Sequence, residues 1–265
     1  MGSANREIKK FVMISVIVHV YNRIEALKRA LDSIAKQTYK DIEVIVVDDG
    51  STEELPSVIA RRPFADEAIS LSDDLDCRVA RTPARHASQL AGVAGRSLLA
   101  MTVIHQSNKG APAARNRGLA EAKGEYVIFW DADVVALPQM LEKLKSALDK
   151  HSQASYAYSN FQFLIFNFQS IFNFLIFKKK IPSQVFNLDK LKMCNFIHST
   201  SLIRRKDVVK WDESLGRFQD WDLWLTMAEN GKSGVWVDEY LFTVSGDGTM
   251  SKWLPRLAYR APFKW

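Results

Sequence analysis

Apolar residues fall in short runs separated by polar turns. The stretches 14–20 and 42–47 are β-branched and continuously apolar, as strands buried on both faces should be. Between them Ile24, Leu27, Leu31 and Ile34 recur at helical spacing. Strand, helix and strand make a βαβ unit, and its crossover demands a parallel sheet. The logic repeats downstream. A helix is predicted over 112–123, then a strand over 126–130 that ends in Asp131-Ala132-Asp133, then a helix opened by Pro138 that runs to Lys150.

Residues 62–100 break this rhythm: they are rich in Ala, Arg and Ser, and no lysine occurs between Lys40 and Lys109. A strand is expected over 101–105, and roughly 35 residues before it exceed any ordinary connection. They read as an insertion, with a helix expected over 87–99. Past residue 150, Phe161, Phe163, Phe166, Phe168, Phe172, Phe174 and Phe177 crowd one segment. Its partial alternation favours an antiparallel hairpin, and an amphipathic element lying on a membrane and ending in Lys178-Lys179-Lys180 is the alternative. A closing strand is expected over 235–244. No internal repeat is visible.

Composition changes little. The chain has 265 residues, 47% of them hydrophobic and 25% charged, which suits one globular α/β unit. The net charge of +6 comes from 36 basic against 30 acidic residues, with no basic block long enough for a nucleic-acid arm. Cys77 and Cys194 match no metal or redox spacing and read as unpaired thiols. No apolar run is long enough for a spanning helix, and residues 1–10 carry no signal-peptide core. The expected location is the cytoplasm or its membrane face.

Chemistry is expected beyond the carboxyl ends of parallel strands. The first strand leads into His19-Val20-Tyr21-Asn22-Arg23, the second into Asp48-Asp49-Gly50-Ser51, and a later one into Asp131-Ala132-Asp133. Carboxylates at apolar strand ends are costly unless they bind something. Asp49 could accept a hydrogen bond from a base N–H. Asp131 and Asp133 could share a divalent ion, or divide a ribose and a metal between them, with a diphosphate filling the other positions. Each aspartate alone could equally be a turn former or helix cap.

These segments, with Asn108-Lys109-Gly110, Ala114-Arg115-Asn116-Arg117-Gly118 and Gln219-Asp220-Trp221-Asp222-Leu223-Trp224-Leu225, resemble the family 2 glycosyltransferases. Five motifs in order carry the resemblance over most of the chain outside 62–100. It implies a GT-A fold: a mostly parallel central sheet, flanking helices and a smaller antiparallel hairpin on the acceptor side. It implies inverting transfer from a nucleoside-diphosphate sugar, a UDP-sugar first, to a glycan or lipid-linked hydroxyl. By resemblance, Asp220 is the general base, preferred over Asp222. Asp133 is the principal ligand of Mn²⁺ or Mg²⁺, and Asp131 the ribose or metal partner. Asp49 contacts the base beside Val20, Tyr21 and Asn22. Lys109 and Arg115 are candidates for the nucleotide or diphosphate, and His198 and Trp221 for the acceptor.

The chain is read as a single domain over 1–265. Residues 12–135 form its nucleotide-sugar part, 136–250 its acceptor part and 251–265 a tail. Three positions depart from the family pattern. His19 replaces proline or a small residue, and no catalysis is assigned to it. Gln219 replaces an acidic residue, which removes a charge that would raise the pKa of Asp220. Ser245 replaces a histidine near the metal, which leaves Asp133 and the diphosphate to hold it. Two rivals remain. A nucleotidyltransferase usually opens with a glycine-rich phosphate loop, absent after the first strand. A non-catalytic nucleotide-sugar-binding module would fit the changes at Gln219 and Ser245.

Overall fold

A computed structural model of the chain describes residues 12–52, 55, 70–72, 100–167 and 175–245. Five of its strands lie in the first half: β1 (Ile14–Val20), β2 (Ile42–Asp48), β3 (Ser70–Ser72), β4 (Ala100–His105) and β5 (Tyr126–Asp131). The second half adds β6 (Val134–Ala136), β7 (Tyr156–Asn167), β8 (Leu175–Ile181), β9 (Leu202–Arg204) and β10 (Gly234–Ser245). The helices are α1 (Ile24–Ala35), α2 (Ala111–Glu121), α3 (Met140–Lys150), α4 (Leu188–Met193) and α5 (Gln219–Glu229).

One ten-stranded sheet runs β3-β4-β2-β1-β5-β9-β7-β10-β6, with β8 paired to β7. The β3, β4, β2, β1 and β5 pairings are parallel, as the two βαβ patterns require. Around β9 the sheet changes character, because β9 is antiparallel to both β5 and β7. β1 lies between β2 and β5, so strand order reverses there and a crevice opens at the carboxyl ends of β1 and β5.

Every side chain of β2 is buried, and all but one in β1. The period of two sends Val16, Val18 and Val20 to one face, against Leu27, Leu31 and Ile34 of α1 and Leu141, Leu144 and Leu148 of α3. Ile17, Ile45 and Val47 face the other way, toward Ala114 of α2 and Trp221, Trp224 and Leu225 of α5. Helices on both faces explain why the strands read as unbroken apolar runs.

The Phe-rich segment does form an antiparallel pair: β7 and β8 are in register from Phe161↔Ile181 to Asn167↔Leu175. The segment 62–100 is not wholly outside the sheet. Its residues 70–72 add a parallel edge strand to β4, and the helix expected over 87–99 lies outside the described residues. The tail over 251–265 lies outside them too. No helix among the described residues is long and apolar enough to cross a membrane.

Candidate active site

The floor of the crevice is a clasp of backbone and side-chain hydrogen bonds at the ends of β1, β2 and β4. The Asp49 amide donates to the Val20 carbonyl (2.9 Å), continuing the parallel ladder one residue past β2. The Asp49 carboxylate is 3% exposed. Its Oδ1 accepts from Gln106 Nε2 and the Lys109 amide, and its Oδ2 from the Gly110 amide, each at 2.8 Å. Gly110 has φ 90, a conformation that favours glycine, and there the chain turns into α2. A carboxylate has about four acceptor positions, so one remains on Asp49 for a ligand donor. Asp48 likewise bonds the Ser51 amide (3.0 Å) and His105 Nδ1 (3.0 Å).

Asn22 sits at φ 49 and closes the opposite wall: its amide donates to Ser51 Oγ (2.9 Å), and its Oδ1 accepts from the Thr52 amide (2.8 Å). Val20 is buried, whereas Tyr21 is 46% exposed and Lys109 is also exposed. The structure therefore brings Val20, Tyr21, Asn22, Asp49 and Lys109 to one rim.

Asp131 is held inside the crevice wall. Its Oδ1 accepts from Arg115 Nη2 (2.8 Å) and its Oδ2 from Ser199 Oγ (2.8 Å), while His19 Nδ1 lies 3.5 Å from Oδ1. Burial pushes this carboxyl up, but Arg115, His19 and His198 outweigh burial and hold it well below the usual carboxylate range. His19 is pushed the other way, to about 4, by burial and by Arg115, so it is neutral at pH 7. Arg115 is 5% exposed. Its Nη1 donates to Gln219 Oε1 (3.0 Å) and its plane lies 4.3 Å from the Trp211 ring centre. The guanidinium expected near a diphosphate is thus spent on two protein groups, and it ties β5 to the first turn of α5.

Asp133 differs. Its Oδ2 accepts from Arg23 Nη1 (3.1 Å), and no described residue bonds its Oδ1. Ser245 fixes only the Asp133 backbone, its amide donating to the carbonyl at 2.9 Å. Burial and the neighbouring Asp131 raise the Asp133 pKa, and Arg23 offsets them only in part.

Asp220 lies in the first turn of α5, whose N-cap Phe218 is left-handed (φ 58) and supplies no side-chain cap. Asp220 is partly buried; Oδ1 accepts from the Trp221 amide (2.9 Å) and Oδ2 from Asn195 Nδ2 (3.0 Å). Burial raises its pKa against the opposing pull of His198 and Arg115. Losing a neighbouring acid at Gln219 therefore does not decide the pKa; burial does. Asp222 is also raised, first by burial and then by Asp212 and Glu229, but it belongs to a different electrostatic neighbourhood.

His198 lies within electrostatic reach of Asp131, Asp133 and Asp220 together. Its Nδ1 accepts from the Thr200 amide (3.0 Å), so in the neutral ring the proton sits on Nε2. Its ring packs 4.9 Å from Phe161 and 5.0 Å from Phe242. Trp221 is a correction: it is 3% exposed, with its indole donating to the Leu191 carbonyl (2.6 Å). One residue past Asp220 is about 100° around the helix, which turns Trp221 into the core instead of toward an acceptor.

The sequence model described as glycosyl transferase family 2 matches residues 15–91 and 84–211. The chain belongs to glycosyl transferase family 2. It is 32% identical over 133 residues to the glycosyltransferase GlyG of Streptococcus pneumoniae serotype 4, covering 50% of this chain and 34% of GlyG. It is 28% identical over 244 residues to the putative glycosyltransferase EpsE of Bacillus subtilis, covering 90% of this chain and 75% of EpsE. S. aureus TarS (1–349) in complex with UDP-GlcNAc superposes with a TM-score of 0.60 at 20% identity, over 91% of this chain and 62% of that one. The mannosyltransferase PcManGT from Pyrobaculum calidifontis, in complex with GDP-Man and Mn²⁺, gives 0.56 at 18%, over 93% and 58%. The chain thus spans only about a third of GlyG, and 60% of TarS 1–349 but 36% of the longer TarS chain. The fold is GT-A.

Asp131 and Asp133 are the carboxylates of this site that a divalent cation could meet. Asp131 is the poorer ligand of the pair, because the buried Arg115 guanidinium already offsets its charge and each of its oxygens is bonded to a buried protein donor. Asp133 does fit: one oxygen is open, and its charge is under-compensated in a dry wall. No cluster of three or more potential ligand side chains exists among the described residues. One carboxylate plus substrate phosphates is a common arrangement for Mg²⁺-type ions. Sequence reasoning missed Asn195, Ser199 and Gln106, which hold the aspartates from loops without any periodic signal. It also missed the partnership of Arg23, although that residue ends a quoted motif.

Proposed function

We infer that this chain transfers a sugar from a nucleoside-diphosphate sugar, a UDP-sugar first, to a hydroxyl of a glycan or lipid-linked acceptor, with inversion at the anomeric carbon. The observation that carries the reading is Asp220. It is a carboxylate with a burial-raised pKa, held by Asn195 and a backbone amide, and within electrostatic reach of Asp131, Arg115 and His198. A base of that kind takes the acceptor proton as the hydroxyl attacks. His198, whose neutral ring carries its proton on Nε2 and which lies within electrostatic reach of Asp220, would donate to the acceptor or the donor sugar.

The rim of Tyr21, Asn22, Asp49 and Lys109 receives the nucleotide, and the open acceptor position of Asp49 suits a base N–H. Asp131 and Arg115 act as a rigid strut behind the ribose. Asp133 would hold Mn²⁺ or Mg²⁺ together with the diphosphate. The cation, when bound, offsets charge on the leaving group. TarS with UDP-GlcNAc and PcManGT with GDP-Man and Mn²⁺ support both the donor class and the cation by likeness of fold. Exposed Lys178, Lys179 and Lys180 on β8 support work at the cytoplasmic face of an anionic membrane, where a lipid-linked acceptor would lie.

The test is incubation with UDP- and GDP-sugars and simple glycan or polyprenyl-phosphate acceptors. Nucleoside diphosphate release and the anomeric configuration of the product are then read by proton NMR. Inverted product supports the reading, retained configuration excludes Asp220 as a base of this kind, and binding without release leaves only a nucleotide-sugar-binding module.

A further inference from the structure

Arg23 is the one residue of the first-strand motif whose charge reaches the candidate cation ligand. Its backbone is fixed, since its carbonyl accepts the first helical bond of α1 from the Leu27 amide (2.9 Å). Its side chain is not fixed to the same degree. It is 27% exposed and touches Asp133 through a single contact, Nη1 to Oδ2 at 3.1 Å. One-point, partly solvated pairs are weak compared with the bidentate geometry that a guanidinium can adopt. Arg115 shows the contrast in the same wall: a buried guanidinium with two protein acceptors and an aromatic face beneath it.

A divalent cation on the open Oδ1 of Asp133 would stand beside the guanidinium on Oδ2, and like charges that close repel. That repulsion favours moving the guanidinium off, and the chemistry that receives it best is a pair of phosphates, which arginine binds in a fork. We propose that Arg23 is an exchangeable counter-ion: it neutralises Asp133 until the diphosphate of the donor receives its guanidinium, which frees the carboxylate for the cation. Cation and nucleoside diphosphate then bind cooperatively, and each is weak without the other. The inference rests on the donor-site reading above and assigns Arg23 a coupling role within it.

The experiment titrates the full chain with Mn²⁺ alone, followed by electron paramagnetic resonance, and with UDP or GDP in the presence and absence of Mn²⁺, followed by calorimetry. Wild type is compared with Arg23→Ala, Arg23→Gln and Arg23→Lys, each checked for folding by circular dichroism and melting. Arg23→Ala and Arg23→Gln should bind Mn²⁺ alone roughly tenfold more tightly, and the factor by which Mn²⁺ tightens nucleotide binding should fall by a similar amount. Arg23→Lys keeps the charge and should keep most of the coupling. If removing the charge leaves Mn²⁺ affinity and coupling as in wild type, the role of Arg23 is refuted while the donor site stands. If the wild type itself binds neither nucleotide with Mn²⁺, the donor-site reading and the inference fall together.

Discussion

Arg115→Met removes the strut and leaves its two acceptors behind. The wild-type guanidinium is 6% exposed, bonded to Asp131 at 2.8 Å and to Gln219 at 3.0 Å. Asp131, 20% exposed, keeps Ser199 as a donor but loses the cation that holds its charge in the wall. Breaking a buried pair from one side costs about 3–5 kcal/mol, and partial exposure of the carboxylate puts this case near the lower end. At about 2–4 °C per kcal/mol for a domain of this size, the melting temperature should fall by roughly 6–12 °C. Urea unfolding at pH 7 gives the free energy and checks that the slope is unchanged.

The sign of the pH dependence is a second reading of the same cause. The folded pKa of Asp131 is depressed below its ordinary 3.8, so the pair contributes stability above that value and loses it as pH falls through the folded pKa. The gap between wild type and Arg115→Met should therefore be fully open at pH 7 and narrow below about pH 4. Adding Asp131→Asn to Arg115→Met should recover much of the loss, because the stranded charge is then gone. A loss under 1 kcal/mol, flat with pH and not rescued by the second change, would refute the assignment of Arg115 as the counter-ion of Asp131.

Asp220→Asn should lower kcat by on the order of a hundredfold or more while donor Kd barely moves, and Asp222→Asn should do much less; steady-state kinetics with calorimetry separates these outcomes. Because burial raises the Asp220 pKa, the acid limb of kcat/KM should lie above the ordinary carboxylate value, with activity falling as pH drops through it; a limb near 3.8 counts against Asp220 as the base. Gly118→Ala should destabilise by about 1–3 kcal/mol in a urea titration, since a Cβ there would stand 2.4 Å from Ile17 Cγ2 where α2 crosses β1.

Much of the parallel half was legible in the sequence because burial on both faces writes itself as unbroken apolar runs, and because a βαβ crossover has one hand and one direction. The strands over 14–20, 42–47 and 126–130 follow from that, and the helix between the first two from the spacing of Ile24, Leu27, Leu31 and Ile34; the structure extends β2 and β5 by one residue each. The strand ends that carry Asp49, Asp131 and Asp133 follow too, since apolar runs locate where chains emerge from a sheet. What no local pattern shows is the second half's pairing. β6 and β9 have three residues each, too short for any periodicity, yet β9 sets the sheet's change to antiparallel, and β6 pairs β10, whose last residue meets Asp133.

The three acidic motifs were visible as residues, but their differences were not. Asp131 and Asp133 stand two apart and read alike in sequence. The fold gives Asp131 a buried arginine from α2 and a serine from the loop before β9, and gives Asp133 only the partly exposed Arg23 from the N-cap of α1. Which of them is a strut and which is the better cation ligand is decided by partners 16 to 110 residues away in the chain. The reason is physical: a carboxylate's charge state and free lone pairs depend on donors and burial in three dimensions, and those come from whichever elements the sheet order happens to place beside it.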